Sequence, residues 1–341
     1  MATPAHVIGG GEMAERIRLG FLGAGSWGRQ NHLPAIQYVQ QTCGDCCSLE
    51  ITALCERDAQ IAEQVSEVYG IERVYADIAP FANDTEVDAF VVIVNPKHLR
   101  HVLDQLSPRG LPIFSEKPPG FCHREAIHLA ATVPNPNLIA FNRRYFPIVQ
   151  QAKGMISALD DISYVSCNFL RANRHDSRDY RQGLPGAVPF VTGTAIHGIN
   201  LLEYLLGPIA DCRTQAYPDS QAPDYWLVDL QFTSGVPGRL NILPCSGSAT
   251  EWIQVHSAQR SLYIYAGLYS PIDYPGRIEV HESGQLVDVI RGDDSLPRLV
   301  NHGFVDEYLD FARAIVNGTP TRSDFCSAVN SMRIAEAIEP L

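Results

Sequence analysis

Short apolar runs alternate with segments of helical periodicity along roughly the first 143 residues of the chain. One run, residues 89–94 (AFVVIV), is apolar throughout, which is typical of a strand buried on both faces. Strands are predicted at 18–22, 51–55, 73–76, 89–94, 112–115 and 138–141, and helices at 29–39, 59–69, 78–82, 98–106 and 124–132. This alternation predicts an α/β fold with a doubly wound parallel sheet.

The pattern changes after about residue 145. Between residues 210 and 289, short strands follow one another with turn signals such as Ser283-Gly284 and without intervening helices. This arrangement predicts a second α/β domain with a large, mostly antiparallel open sheet. Helices are predicted at 146–159, 195–206, 302–317 and 324–339, with a strand at 164–170 and a loop at 171–189.

A glycine-rich segment joins the first predicted strand to the first predicted helix. It reads Gly23-Ala24-Gly25-Ser26-Trp27-Gly28 and matches G-x-G-x-x-G in the strand–turn–helix context that indicates dinucleotide binding. Gly23 permits the tight turn, Gly25 lets the backbone approach a pyrophosphate, and Gly28 allows the helix to pack closely on the strand. The free N–H groups at the start of the helix suit a phosphate. The alternative is a glycine-rich turn that binds nothing.

These boundaries predict three segments. Residues 1–16 form a loose extension, 17–143 a Rossmann domain and 144–341 a domain for substrate binding and oligomerisation.

The second predicted strand ends at Glu56 and Arg57. The Glu56 carboxylate can accept hydrogen bonds from the hydroxyl groups of an adenosine ribose. Its separation from the glycines exceeds the usual spacing of about 20 residues because of a polar loop at 40–48. Glu56 would repel a 2′-phosphate, whereas Arg57 could pair with one, and we predict NAD(H) in preference to NADP(H). A capping or surface role for Glu56 is the alternative.

Two polar segments follow later strands, at the sheet edge where open α/β sheets bind ligands. They are Asn95-Pro96-Lys97-His98 and Glu116-Lys117-Pro118. The Lys117 ammonium can polarise a carbonyl group or donate a proton to a developing alkoxide. A solvated lysine in a turn is the alternative. The predicted cofactor-binding residues in these segments are Asn95, Pro96, His98, Glu116 and Lys117.

His197 lies in the predicted helix 195–206 of the second domain. An imidazole with an ordinary pKa of about 6.5 can donate or accept a proton near neutral pH. The alternative is a histidine that only packs in the core. The predicted substrate-binding residues are Arg144, Arg171, Thr194, His197 and Asn200, with Arg174 as a further candidate for binding an anion.

Together these segments resemble the Gfo/Idh/MocA oxidoreductase family over nearly the whole chain from about residue 17. The resemblance rests on the glycine turn, Glu56, Asn95-Pro96 with His98, the E-K-P element at 116–118, the segment 141–145 (FNRRY) and the helix 197–207 (HGINLLEYLLG). It implies reversible hydride transfer between a nicotinamide cofactor and a hydroxyl-bearing carbon, usually on a sugar, cyclitol or related polyol. It also implies that Lys117 and His197 are catalytic, and that the open sheet supports homodimers or homotetramers.

The chain departs from the family pattern near His197. Many members carry an aspartate four residues before the catalytic histidine and another three residues after it, where this chain has Gly193 and Asn200. A threonine hydroxyl, such as that of Thr194, can hydrogen-bond but cannot supply the missing negative charge. One hypothesis is therefore a reductase of a ketone, imine or enone, which needs proton donation more than hydroxyl deprotonation. The alternative to an enzyme is a non-catalytic regulatory or scaffold protein that binds the cofactor.

The net charge and the cysteine content of the chain indicate which partners it can bind and in which compartment it is found. A net charge of −12 and a pI near 5.3 argue against nucleic-acid and anionic-membrane binding. No run of about 18 apolar residues and no targeting signal is visible. Nine cysteines without a secretion signal predict reduced thiols in a cytoplasm. Cys43, Cys46 and Cys47 form a cluster without a second ligand pair, which predicts a thiol-containing loop and no metal site.

Overall fold

The computed structural model describes residues 16–43, 48–172, 187–217 and 225–341. The predicted extension at 1–16 therefore lies almost wholly outside the described residues, and its last residue, Arg16, begins the first strand. In the described ranges no helix is both long and apolar enough to cross a membrane.

The first half of the chain forms a six-stranded sheet in which every neighbouring pair of strands is parallel. The strand order is β3-β2-β1-β4-β5-β6, as predicted for a doubly wound fold. The strands are β1 (Arg16–Leu22), β2 (Ser48–Cys55), β3 (Arg73–Tyr75), β4 (Ala89–Val92), β5 (Ile113–Ser115) and β6 (Asn137–Ile139). All four residues of β4 are buried, as its apolar sequence predicts.

The helices of this half follow the sequence pattern closely. They are α1 (Leu33–Thr42), α2 (Ala59–Tyr69), α3 (Ile78–Ala82), α4 (Pro96–Leu106) and α5 (His123–Thr132). A π-helical turn, Gly28–His32, precedes α1. Helix α4 begins two residues earlier than predicted because the Asn95 side chain caps it, accepting a hydrogen bond from the backbone N–H of Lys97 at 3.0 Å.

The second sheet has eight strands in the order β14-β13-β12-β11-β7-β10-β9-β8. Its strands are β7 (Ile162–Ala172), β8 (Ile209–Tyr217), β9 (Tyr225–Phe232), β10 (Pro237–Leu243), β11 (Cys245–Ser257), β12 (Arg260–Tyr265), β13 (Arg277–Glu282) and β14 (Gln285–Arg291). Strands β7 and β10 pair in parallel, and all other pairs are antiparallel. The predicted fold class is therefore confirmed.

One face of this sheet is covered by helices and the other is open. The remaining helices are α6 (Pro147–Ser157), α7 (Ile196–Leu206), α8 (Arg298–Asn301), α9 (Phe304–Asn317) and α10 (Phe325–Ile338). The open face is aromatic and polar rather than simply apolar. Trp252 stacks on Tyr265 with ring centroids 6.1 Å apart, and Tyr263 lies 4.5 Å from His281.

The last helices of the chain return to the first sheet. Tyr308 of α9 stacks on Phe114 of β5 with ring centroids 4.6 Å apart and an interplanar angle of 8°. Between α9 and α10, the backbone N–H of Ile139 donates to the Ser323 carbonyl oxygen at 2.6 Å, and the Ser323 hydroxyl donates to the Ile139 carbonyl oxygen at 2.8 Å. These contacts pack the C-terminal part of the chain against β5 and β6.

Candidate active site

The glycine turn has the backbone geometry that its sequence requires. Gly23 has φ +92°, and a Cβ there would lie 2.1 Å from the Ile93 carbonyl oxygen. A Cβ at Gly28 would lie 2.9 Å from the Gly23 carbonyl oxygen. Gly25 differs, because a Cβ there would meet no atom within 4 Å. Gly25 therefore borders open space, which is what a backbone that cradles a pyrophosphate needs.

Glu56 lies beside this turn at the end of β2. One carboxylate oxygen accepts a hydrogen bond from the backbone N–H of Ala24 at 2.8 Å, and the other accepts from the N–H of Asp58 at 3.1 Å. Arg57, the next residue, is exposed. The structure thus brings the acidic strand end and the glycine turn together, as the sequence predicted. The predicted loop at 40–48 is shorter than expected, because α1 continues to Thr42 and β2 begins at Ser48.

Asn95, Pro96 and His98 occupy the first turn of α4, directly after β4. Asn95 and His98 are exposed, and Pro96 is the first helical residue. The backbone N–H of Ile93, just before this segment, donates to the Leu22 carbonyl oxygen of β1 at 2.8 Å. The segment therefore lies next to the glycine turn, on the same edge of the parallel sheet.

Glu116 is the centre of a buried hydrogen-bond network behind the turn. Its carboxylate accepts from the indole N–H of Trp27 at 2.6 Å and from the backbone N–H of Lys117 at 3.0 Å, and it lies 2.9 Å from Nε2 of His32. Nδ1 of His32 lies 2.9 Å from the Tyr308 hydroxyl. Burial alone raises the pKa of Glu116, but the hydrogen bonds and the charges of His32 and Lys117 leave it below its ordinary value.

Lys117 connects the two halves of the molecule. Its ammonium group donates a hydrogen bond to the carbonyl oxygen of Gly193 at 2.8 Å. Gly193 belongs to a π-helical turn, Val191–Ala195, that leads directly into α7. Helix α7 itself begins at Ile196, one residue after the helix start that the sequence predicts.

His197 lies in the first turn of α7 and is 6% exposed. The edge of its ring meets Phe141, with ring centroids 5.8 Å apart, and Nδ1 has no hydrogen-bond partner within the part of the chain that the structure describes. Burial holds the pKa of His197 well below 6.5, and the positive charges of Arg143, Lys117 and Arg171 lower it further. The imidazole is therefore neutral at neutral pH.

One buried acidic residue of the second sheet was not predicted from the sequence. Glu251 of β11 is 2% exposed and pairs with two arginines, Arg143 and Arg171. Burial alone raises the pKa of Glu251, but the charges of both arginines and their hydrogen bonds lower it to about 2. A signal was present, because residue 251 shares its strand face with Ile253 and Val255, which point into the core.

Two family models match the chain. The NAD-binding Rossmann model of the Gfo/Idh/MocA oxidoreductase family covers residues 17–142, and its C-terminal α/β model covers residues 153–339. The chain belongs to this oxidoreductase family.

Known relatives are distant. A D-apiose dehydrogenase of Paraburkholderia graminis is 23% identical over 282 residues, which cover 78% of this chain and 70% of that protein. An uncharacterized oxidoreductase of Synechocystis is 23% identical over 300 residues, with 79% and 77% covered. An uncharacterized protein of Saccharomyces cerevisiae is 23% identical over 200 residues, so the match spans 56% of each chain.

Solved structures share the whole fold. A levoglucosan dehydrogenase in complex with NADH and L-sorbose superposes with a TM-score of 0.81 at 16% identity, covering 95% of this chain and 96% of that one. A dehydrogenase from Chromobacterium violaceum superposes with a TM-score of 0.80 at 20% identity, covering 95% and 94%.

Two predicted substrate-binding residues of this oxidoreductase are engaged within the protein. Nε of Arg144 donates to the Asn200 side-chain oxygen at 2.7 Å, and its Nη1 donates to the Arg322 carbonyl oxygen at 2.7 Å. The Asn200 amide donates to the Ser331 hydroxyl at 3.0 Å. Asn200 therefore joins α7 to α10 and also holds Arg144, and the assignment of both residues to substrate binding stays a prediction. Thr194 is half-buried, one residue after Gly193.

Across the described ranges, no group of three or more His, Cys, Asp or Glu side chains could hold a metal ion. Arg174, Cys46 and Cys47 lie outside the described residues, whereas Cys43 is a free thiol at the end of α1.

Proposed function

We propose that this oxidoreductase transfers a hydride between a nicotinamide cofactor and the hydroxyl or carbonyl carbon of a sugar, cyclitol or related small molecule. Lys117 and His197 are the proposed catalytic residues. The observation that carries the proposal is the hydrogen bond from Lys117 to the Gly193 carbonyl oxygen. It brings the E-K-P element of one domain against the turn from which the His197 helix begins.

The residues around the glycine turn fit a dinucleotide. The open space at Gly25 would accept the pyrophosphate, and the backbone N–H groups of the exposed residues Gly25, Ser26 and Trp27 would donate to it. We propose NAD(H) as the preferred cofactor because the Glu56 carboxylate stands where it would repel a 2′-phosphate. When bound, the nicotinamide ring accepts or supplies the hydride.

Lys117 acts on the reacting oxygen of the substrate. Its ammonium group stabilises negative charge that develops on that oxygen, and so favours loss of the hydroxyl proton. The Gly193 carbonyl oxygen holds the ammonium group in place without neutralising its charge. The backbone N–H of Lys117, bound to the buried Glu116 carboxylate, fixes the start of the side chain.

His197 exchanges the proton. A neutral imidazole accepts a proton from a substrate hydroxyl, which is the step required for alcohol oxidation. Because burial and the positive charges of Arg143, Lys117 and Arg171 keep the imidazole neutral, the free protein carries the form of His197 that can accept this proton.

The substrate class comes by analogy from relatives. A D-apiose dehydrogenase and a levoglucosan dehydrogenase both take their names from sugars or sugar derivatives. We propose Arg171, Thr194 and His197 as the substrate-binding residues. Arg144 and Asn200 are left out because their polar groups already bind each other.

A turnover assay tests this function. The protein is incubated with NAD⁺ and a panel of pentoses, hexoses, cyclitols and their acids, and NADH formation is followed by absorbance. We expect turnover with at least one compound, and its loss in His197→Ala with unchanged unfolding. His101→Ala, at an exposed histidine of α4, is the matched control and keeps full activity. Undiminished turnover in His197→Ala contradicts the assignment of His197.

We also propose a homodimer or homotetramer formed through the open face of the second sheet. Its aromatic stacks, such as Trp252 on Tyr265, would otherwise face water. Sedimentation velocity at micromolar concentration tests this proposal. An oligomer that Trp252→Lys dissociates supports it, and a monomeric wild type contradicts it.

A further inference from the structure

His32 lies at the end of the π-helical turn that follows the glycine turn, and its side chain is fully buried. Both of its ring nitrogens have partners. Nε2 lies 2.9 Å from a carboxylate oxygen of Glu116, and Nδ1 lies 2.9 Å from the hydroxyl of Tyr308. The end of the glycine-turn segment, the E-K-P element and helix α9 therefore meet at one buried imidazole.

The hydrogen bond between His32 and Glu116 runs in one direction. Burial raises the pKa of Glu116, but the hydrogen bond and charge of His32, the charge of Lys117 and the hydrogen bond of Trp27 leave it below its ordinary value. The carboxylate is therefore ionised at neutral pH and only accepts hydrogen bonds, so Nε2 of His32 is the donor in both the neutral ring and the imidazolium. The Tyr308 hydroxyl can donate or accept, and it serves Nδ1 in either form.

Aromatic packing fixes the direction in which His32 donates. The edge of its ring meets Phe114 of β5 and Phe304 of α9, with ring centroids 5.7 Å and 5.6 Å apart. Phe304 also meets Trp27 at 6.0 Å. With rings on its faces and a hydrogen bond at each nitrogen, the imidazole has the kind of support that holds a site residue in one orientation.

The two oxygens of the Glu116 carboxylate serve different parts of the site. Oε1 binds His32 and also accepts from the indole N–H of Trp27, in the glycine turn, at 2.6 Å. Oε2 accepts from the backbone N–H of Lys117 at 3.0 Å. The Lys117 ammonium group then donates to the Gly193 carbonyl oxygen at 2.8 Å. Because one planar carboxylate holds both sides, loss of the His32 donor loosens the start of the Lys117 side chain.

We propose that His32 and Tyr308 are positioning residues for the reaction: through the Glu116 carboxylate, they keep the Lys117 ammonium group where the reacting oxygen of the substrate binds. This inference rests on the proposed function, in which Lys117 is catalytic. A displacement of about 1 Å can cost about 100-fold in rate. Hydrogen bonds that fix the catalytic group therefore contribute to kcat although they lie behind the site.

A matched pair of substitutions separates the two nitrogens of His32. The side-chain amide of His32→Gln reaches about as far as Nε2 and can still donate to Glu116, whereas that of His32→Asn reaches only about as far as Nδ1. With the best substrate of the panel, we expect kcat to fall by about 3-fold or less in His32→Gln and by about 10-fold or more in His32→Asn. NADH binding should change by less than about 3-fold in both variants. Equal losses of kcat in the two folded variants, or no loss in either, overturn the proposal.

A second substitution tests the other end of the chain of hydrogen bonds. Tyr308→Phe removes only the hydroxyl and keeps the ring that stacks on Phe114, and kcat should fall by about 5-fold. Tyr145→Phe is the matched control, because it also removes a buried hydroxyl, one that donates to Asp310 of α9 at 2.9 Å, and it should keep full activity. An unchanged kcat in Tyr308→Phe overturns the role of Tyr308. If neither His32 variant folds, this substitution decides for both residues.

Crystal structures of the variants give a readout that does not depend on turnover. In His32→Asn, the distance between the Lys117 ammonium group and the Gly193 carbonyl oxygen should exceed about 3.5 Å, beyond hydrogen-bond range. In His32→Gln it should stay at 2.8 Å. An unchanged distance in His32→Asn overturns the proposal. Absence of turnover by the wild type with every compound of the panel is the separate result that rejects the proposed function.

Discussion

The ammonium group of Lys117 and the carbonyl oxygen of Gly193 lie 2.8 Å apart, although 76 residues separate them in sequence. This hydrogen bond joins the nucleotide-binding half to the helix that carries His197. The hydrogen bond thereby holds the charged ammonium group of Lys117 at the boundary between the two domains. The group that accepts it, the Gly193 carbonyl, is a neutral dipole and not a carboxylate.

Replacement of Lys117 should mainly affect the chemical step. We expect Lys117→Ala to lower kcat by about 100-fold or more, because the developing charge on the substrate oxygen loses its cation. Lys153→Ala is the matched control, since the Lys153 ammonium also donates to a backbone carbonyl, that of Leu205, at 3.0 Å. Steady-state kinetics with the best substrate of the panel measures both variants. Near-normal turnover in Lys117→Ala would remove Lys117 from the mechanism.

A carboxylate introduced at position 193 should raise the pKa of the His197 imidazole. We expect Gly193→Asp to move the acidic limb of the pH profile of kcat/KM upward by about one unit, because a negative charge stabilises the imidazolium. A Cβ at this position would lie 3.3 Å from Cβ of Val188, so a shift of a few tenths of an ångström accommodates it. Gly193→Asn has the same size without the charge and should leave the limb in place. Equal shifts in both variants would show that size, not charge, is responsible.

His302 should make the protein sensitive to acid. Burial and nearby arginines lower its pKa from 6.5 to about 4. The unfolded chain therefore takes up a proton below about pH 6.5 that the folded protein refuses until about pH 4, so the free energy of unfolding falls on acidification across this window. The shift corresponds to about 3 kcal/mol.

Urea unfolding of His302→Phe at several pH values measures this contribution. Phenylalanine preserves an aromatic ring against Phe146, on which His302 stacks at 5.4 Å. Between pH 6.5 and pH 4, the variant should lose about 3 kcal/mol less than the wild type. An identical pH dependence in both proteins would show that His302 is not the titrating group.

Glu116 should be essential for stability because it is buried and bound by several donors. In Glu116→Gln, the side-chain amide group would face at least one of the N–H groups that now bind the carboxylate. We expect the free energy of unfolding to fall by about 2–4 kcal/mol. Trp27 fluorescence should also change, because its indole N–H loses a charged partner. Glu63→Gln, on the exposed face of α2, should change neither property.

The regular elements could be predicted because each depends on a local pattern. Helices α2 and α3 occur at the predicted residues, and β4 is shorter than its apolar run by two residues. The four-residue α8 was missed because so short a helix has no periodicity to detect.

The site could be predicted only in part. The glycine turn, Glu56 and the E-K-P element were found because their residues are adjacent in sequence or stand at strand ends. The partners of Glu116 were missed, since Trp27 and His32 lie 89 and 84 residues from it and no local pattern links them. Glu251 was missed for the same reason, although a charged residue at an inward strand position is a usable signal.

Fluorescence titration of the wild type and of Gly25→Val with NADH and with NADPH tests whether the glycine turn binds a nicotinamide cofactor. A valine at this position meets no atom of the protein within 4 Å of its Cβ, so the variant should fold normally while its side chain fills the space for the pyrophosphate. We expect saturable binding by the wild type, tighter for NADH than for NADPH, and no saturable binding by Gly25→Val. Absence of binding by the wild type, or equal binding by the variant, would contradict this expectation.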